Sequence, residues 1–309
     1  MTAPSALIPA IPLARLPKPD PNAPDWLVRD LWASRAVGCL GAAPKTGKTW
    51  LTLEMAVAVA SGTRALGHLE VPRPGRVLVH CAQDGPDDIR HRVAGLCSAR
   101  NLDFDKLDLC WLDAPNIALD DLGWQTRLLR TVQHNRPVLV VLDPFVRMFH
   151  GDENSAADVS RTLSFLRALQ RDHGTAVLLV HHVRKGGDVG GAALRGSGDL
   201  HAWGDSNLYL HRRDDGIHLV AEHRARPAPE PVVLRLEGDP PRLNVVGTAP
   251  ERSLDERVLD ALDQPTGHTR LRERIGVRNE TLGEVLVRLH AAGRLRREGS
   301  LIVRVPVPA

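Results

Sequence analysis

Residues 36–61 read AVGCLGAAPKTGKTWLTLEMAVAVAS, and this stretch decides the fold. Ala36–Leu40 is a short apolar run of strand length. A loop containing Gly and Pro follows, and Lys48–Ser61 then continues without either breaker, as a helix would. The loop itself, Ala42 to Thr49, reads A-A-P-K-T-G-K-T. A Gly-Lys-Thr that closes a strand and opens a helix is the context of a Walker A phosphate-binding loop. Backbone N–H groups of such a loop, reinforced by the helix N-terminus, face phosphate oxygens. Gly47 permits close backbone approach, Lys48 supplies a cation to the β- and γ-phosphates, and the Thr49 hydroxyl is a Mg²⁺ ligand. The nucleotide-binding candidates are therefore Ala43, Pro44, Lys45, Thr46, Gly47, Lys48, Thr49 and Trp50. One departure stands out: Ala42 occupies the first glycine position of the motif, with Gly41 just before it.

Outward from this loop, apolar runs alternate with amphipathic stretches. Strands are expected at Ala36–Leu40, Arg76–Cys81, Asp108–Trp111, Val138–Leu142, Ala176–Val180, Asn207–His211, Ile217–Glu222 and Val232–Glu237. Helices are expected at Lys48–Ser61, Pro86–Arg100, Leu122–Gln133 and Ala156–Asp172, with a further piece near Leu200. Runs that are apolar at every position suit strands covered on both faces, and strand–helix alternation gives a mostly parallel α/β sheet. The last strands follow one another without helices, so antiparallel hairpins are expected at one edge. The run V-L-V-V-L ends in Asp143, the Walker B arrangement, whose carboxylate supports the metal together with Thr49.

Three regions are expected. Residues 1–25 form a Pro-rich tail, 26–248 the α/β domain, and 249–309 a small C-terminal domain, joined through a linker at Val246–Arg252. In that last region Ser253 and Glu256 form a capping box at the start of a helix ending at Leu262. Thr269–Ile275 and Asn279–Ala292 are further helices, each closed by Gly, and Leu295–Val305 alternates about Gly299 as a hairpin does. Helix, helix–turn–helix and hairpin is the winged-helix order. Arg278 and Asn279 begin the candidate recognition helix, and Arg296 and Arg297 sit on the hairpin, placed for DNA contact. Glu280, Glu284 and Glu298 dilute the positive patch, so protein docking is the competing role.

Composition sets the outer limits. The chain has 309 residues and a formal charge of +3, too balanced for nucleic-acid binding by bulk charge. Cys39, Cys81, Cys97 and Cys110 lie scattered with no C-x-x-C pair, which excludes a zinc ribbon or a disulfide scaffold and fits a reducing cytoplasm. No apolar run reaches the ~18 residues of a membrane span, and Pro interrupts the N-terminal apolar residues where a signal peptide would be continuous. The expectation is a soluble cytoplasmic protein without a membrane partner.

Five stretches together carry a family resemblance: DWLVRDLWASRAVGCLGAAPKTGKT (25–49), VLVHCAQDGPDDIRHRVAGL (77–96), LDPFVRMFHGDENSAADV (142–159), VLLVHHVRKGG (177–187) and LRGSGDLHAWGDSNLYL (194–210). From about Trp26 to Glu237 the chain resembles the RecA-fold hexameric helicases of the plasmid replication type, the RepA-like AAA-family ATPases. The resemblance implies a RecA-like P-loop core, ATP and Mg²⁺ as cofactors, a ring-hexameric homo-oligomer, single-stranded DNA as partner, and contacts with replication proteins. It implies site residues as well. The family's water-polarising Glu at the end of the second strand is Gln83 here, an amide that cannot accept a proton but can orient water. Asp84 follows it, and strand alternation would point its side chain the other way. His181 or His182 matches a γ-phosphate sensor, and alternation lets only one of the two face the nucleotide. Arg184 and Lys185 begin a glycine-rich segment matching a DNA-contacting loop, and Arg195 matches the family's Arg-Gly-Ser. Arg224, in A-E-H-R-A-R-P, resembles the arginine finger that reaches a neighbouring subunit, although Glu222 stands where that strand usually carries Lys. A solvated charge beside a Pro turn is the other reading of Arg224.

Two functional readings follow. One is an ATP-hydrolysing helicase or DNA-remodelling ATPase in replication or recombination. The other, to which Gln83 points, is a hydrolysis-poor ATP-dependent DNA-binding or assembly regulator.

Overall fold

The structure, a computed structural model, describes residues 10–16, 18, 20, 23–114, 116–151, 155–182, 198–248 and 253–305. Ahead of the main sheet, β1 (Trp26–Val28) and β2 (Trp32–Ala33) pair antiparallel, and Trp32 is fully buried. This hairpin lies in a stretch for which the sequence offers no strand pattern. Further upstream the tail makes a single 3-10 turn at Leu13–Arg15 and exposes Ile11, Leu13 and Leu16.

The main sheet has nine strands. They are β3 (Val37–Ala42), β4 (Val77–Cys81), β5 (Leu109–Trp111), β6 (Leu139–Asp143), β7 (Ala176–His182), β8 (Ser206–Arg213), β9 (Gly216–His223), β10 (Val232–Glu237) and β11 (Arg242–Thr248). Their order is β11-β10-β9-β8-β3-β7-β6-β4-β5. From β8 to β5 all pairings are parallel; from β8 to β11 all are antiparallel. The mostly parallel α/β sheet and its antiparallel edge agree with the sequence expectation, and the boundaries of the expected strands shift by at most about two residues. One correction concerns the linker expected from Val246: β11 pairs with β10 through Thr248, so the first part of that stretch is edge strand.

Helices cover both faces. They are α1 (Lys48–Ser61), α2 (Pro86–Ser98), α3 (Leu122–Asn135), α4 (Ala156–His173) and the short α5 (Gly198–Trp203). Alternate residues of the central strands feed two apolar clusters. Leu40, Val79, Val141, Leu178 and Val180 face α1 and α2, while Cys39, Leu78, Val140, Val177 and Leu179 face the α3–α4 side. Helix α1 is buried through most of its length, which explains why it is apolar nearly all round. Its Glu54 is buried too, accepts from Leu66 N at 2.8 Å, and pairs with Arg100. Gly38 marks the tightest backbone approach: a Cβ there would lie 1.7 Å from the Ser206 carbonyl oxygen, so only glycine fits.

The C-terminal residues build a separate small core. Helices α6 (Leu254–Asp260), α7 (His268–Ile275) and α8 (Asn279–Ala291) pack Val258, Leu271, Leu282 and Leu289 against Leu295 and Ile302. Three short strands, β12 (Thr266–Gly267), β13 (Leu295–Glu298) and β14 (Leu301–Arg304), pair antiparallel in the order β12-β14-β13. The capping box is present in both directions: Ser253 N donates to Glu256 Oε2 at 3.1 Å, and Glu256 N donates to Ser253 Oγ at 3.3 Å. Arg213, at the end of β8, ties this region to the main sheet through Asp260 at 3.3 Å. Among the described residues, no helix is long and apolar enough to cross a membrane.

Candidate nucleotide site

Parallel strands deliver their C-terminal ends to one edge of a sheet, where open α/β folds bind ligands. Here β3 ends in the loop before α1, β6 ends at Asp143, β7 ends at His181 and His182, and β4 ends at Cys81. In-register pairing sets Cys81 opposite Asp143 and Ala42 opposite His182. The sheet thus gathers segments far apart in sequence along a single edge.

The loop turns through Lys45 and Gly47, at φ +62° and +100°. A positive φ is easy for glycine; Lys45 adopts it without that freedom. Thr46 Oγ1 donates to Ala43 O at 2.8 Å and rigidifies the turn. Lys48 begins α1, is 6% exposed, and donates from Nζ to the carbonyls of Ala42 and Ala43 at 3.0 and 2.8 Å. Burial lowers its pKa to about 8, while nearby Asp143 pushes the other way. The departure at Ala42 is accommodated because this residue ends β3 within the sheet, and its carbonyl serves Lys48.

Thr49 Oγ1 donates to Asp143 Oδ2 at 2.9 Å. Burial raises the Asp143 carboxyl to about 6, opposed by the Thr49 hydrogen bond and by the Lys48 and Arg92 charges. A hydroxyl and a carboxylate, side by side at a helix N-terminus, are hard oxygen donors that suit Mg²⁺, whose remaining ligands come from phosphate and water. Among the described residues no group of three or more His, Cys, Asp or Glu could hold a metal ion.

The two histidines separate as strand alternation requires. Alternation puts His182 on the α1 side of β7 and the buried His181 on the opposite side; both feel the Lys48 charge, and His182 feels Arg147 as well. Burial lowers both pKa values, that of His181 to about 4, so both rings are neutral near neutral pH. Each has a buried Nδ1 without a hydrogen-bond partner among the described residues.

Other sequence candidates are placed differently. Gln83 follows the end of β4 in a turn and is exposed. Asp84, expected to point away, is half-buried, and its charge reaches Asp143. Trp50 lies beneath the Arg92 guanidinium, 5.5 Å from the ring centroid. Arg224 stands just past β9 at the Ser206 end of β8, the far end from the loop, paired with Asp205 at 3.4 Å and bonded to Ala202 O. Arg278 and Asn279 are exposed at the start of α8; Arg296 pairs with Glu298 at 2.7 Å, and Arg297 is exposed. Arg184, Lys185 and Arg195 lie outside the described residues.

The structure adds residues that no motif marked. Arg212 Nη2 donates to Lys45 O at 3.2 Å, bringing the β8–β9 turn alongside the loop. Arg92 of α2 sits between Asp84 and Trp50. Only the pairing register of β8 with β3 reveals the first, and only the packing of α2 beside α1 reveals the second.

A family model described as an AAA domain matches residues 2–188. The chain belongs to the AAA domain family. The matched span holds the loop, Thr49, Asp84, Arg92, Asp143 and the two histidines, and Arg212 lies beyond it. Among solved structures, this AAA domain protein is similar to the RadB recombinase at 17% identity, covering 66% of this chain and 88% of that one, with a TM-score of 0.49. It is also similar to a DnaB-like replicative helicase, whose structure was described with its interactions with primase. There the identity is 15%, the coverage 66% of this chain and 56% of that one, and the TM-score 0.49. Neither likeness bears on activity.

Proposed function

We propose that this AAA domain protein is a RepA-like, RecA-type ATPase that binds ATP with Mg²⁺, hydrolyses it, and remodels or translocates on DNA during replication or recombination. The observation that carries this reading is the Thr49–Asp143 contact at 2.9 Å beside the buried Lys48 amine. Few structural needs would bury a lysine and a carboxylate at the mouth of a glycine-containing loop; binding a triphosphate does. Lys48 and the N–H groups of the loop bind the β- and γ-phosphates, and Thr49 and Asp143 orient the metal. Mg²⁺, when bound, neutralises charge developing on the phosphate oxygens. His182, on the same side as Lys48, is the better-placed γ-phosphate sensor, with its ring neutral and one nitrogen able to donate.

Arg224 is remote from its own loop, so any role as an arginine finger is played across a subunit boundary, in a ring hexamer. The C-terminal helices and hairpin are read as a winged helix. Arg278, Asn279, Arg296 and Arg297 would touch DNA, with Arg184, Lys185 and Arg195 following the single strand by phosphate contacts. Replication proteins are the expected further partners, and the cytoplasm the expected compartment.

Steady-state ATP hydrolysis with and without single-stranded DNA, beside Lys48→Ala as the blank, tests this reading. Turnover above the blank that rises with DNA supports it. Turnover equal to the blank, with nucleotide still bound by the wild type, sinks it in favour of the regulator reading, which rests on Gln83 where a catalytic Glu is expected.

A further inference from the structure

We infer that Asp84, and not Gln83, is the group that takes the proton of the attacking water. The inference rests on the ATPase reading above and deepens it. An amide at position 83 leaves the site without a base at the end of β4, and the structure offers a carboxylate one residue later.

The turn after β4 explains why strand alternation misplaces this residue. The strand stops at Cys81, and Ala82 N donates to Asp143 O at 2.7 Å, pinning the turn to the end of β6. Gly85 and Pro86 then open α2. Side-chain direction from Ala82 onward follows the turn, not the pleat. Gln83 projects into solvent, while the Asp84 side chain is 22% exposed and held by Arg92 Nη2 at Oδ1, 3.0 Å away.

A closed circuit of contacts fixes this carboxylate relative to the reacting centre. Asp143 accepts from Thr49, and Trp50 follows Thr49 on α1. The Trp50 ring carries the Arg92 guanidinium, Arg92 holds Asp84, and the Asp84 turn returns to Asp143 through Ala82. The links are hydrogen bonds, an ion pair and a ring contact joined by two short runs of chain, so Asp84 is tied to α1, α2 and β6 at once. Arg92 is a positioning residue in this scheme: it orients the carboxylate through Oδ1 and leaves proton acceptance to Oδ2.

In the step itself, the water oxygen attacks the γ-phosphorus and the bond to the β–γ bridging oxygen breaks. The leaving ADP keeps that electron pair. The water proton passes to Asp84 Oδ2 and then to solvent. Gln83 has no lone pair basic enough for this transfer.

The test compares wild type, Asp84→Asn, Gln83→Ala, Arg92→Ala and the Lys48→Ala blank, reading kcat, its pH profile and the affinity for a fluorescent ATP analogue. Asp84→Asn is expected to lower kcat by a factor on the order of 10² or more with affinity held within a few-fold, since general-base catalysis contributes on that scale. Gln83→Ala is expected to stay within a few-fold of wild type. Arg92→Ala is expected to lower kcat and displace the acid limb of the profile. Wild-type turnover that survives Asp84→Asn, or that is lost in Gln83→Ala, overturns the inference and leaves the ATPase reading standing. Wild-type turnover no higher than the blank overturns both.

Discussion

Lys48→Met is expected to make the nucleotide-free protein more stable and the nucleotide-loaded protein less so. The lysine amine is almost wholly buried, and its pKa falls from 10.5 to about 8, chiefly through desolvation. At ~1.4 kcal/mol per unit, holding that charge in the native state costs roughly 3 kcal/mol near neutral pH. Methionine keeps the unbranched stem and removes the charge. It also strips one donor from each of the Ala42 and Ala43 carbonyls, a loss of about 1 kcal/mol apiece. The balance is a gain of ~1 kcal/mol, or a rise of roughly 2–4 °C in Tm for a domain of this size. With ATP and Mg²⁺ at about 100 times Kd, wild type should gain ~2.7 kcal/mol by mass action and the variant almost none. Thermal melts with and without nucleotide should therefore cross. The sign of the pH dependence gives a second signature. Between pH 8 and 10.5 the unfolded chain holds a proton that native Lys48 has released, so wild-type stability rises with pH in that window, and the variant should lack the rise. A variant that melts below wild type without nucleotide, or that keeps the nucleotide-induced shift, would refute the reasoning.

Gly38→Ala should destabilise the sheet by ~3 kcal/mol or more, because its Cβ would fall 1.7 Å from backbone of β8 that is itself buried; urea denaturation, or loss of soluble protein, reads the effect. Arg100→Met should cost roughly 3–5 kcal/mol, since it strands the Glu54 carboxylate, 1% exposed, whereas replacing both partners with apolar residues should cost far less. His181 and His211 are both held near pKa 4 by burial. Each therefore binds a proton more readily when unfolded, and stability should fall as pH drops from 6.5 towards 4. Asp143, raised to about 6, opposes this in part, because its native carboxyl takes up a proton before its unfolded one. His211→Gln should flatten the net slope in acid titrations followed by circular dichroism.

The parallel half of the sheet was legible because its strands are built on near-continuous apolar runs, a signal that needs no tertiary context. The ends of α1 were equally legible, set by Gly47 and Gly62. The β1–β2 hairpin was not, since strands of three and two residues carry no period. Strand β11 escaped for another reason: it is an edge strand whose Arg242, Gly247 and Thr248 are exposed, so its alternation is weak. Within the site, Lys48, Thr49 and Asp143 were readable from motif chemistry. Asp84 was misdirected by extending the pleat one turn beyond the strand, although Gly85–Pro86 marks the break in the sequence itself. Arg212 was out of reach, because its meeting with Lys45 depends on how far β8 runs beyond the end of β3.

That run of β8 means that one step along the backbone holds two bodies. Arg212 grips the phosphate loop through Lys45 O, and Arg213, pointing to the other face of the strand, grips α6 through Asp260. The strand end acts as a shared hinge pin, so slack introduced on one side is felt on the other. A double-mutant cycle between Arg212→Ala and Asp260→Ala, read by nucleotide affinity, should therefore leave a coupling energy distinct from zero, even though neither residue touches the other.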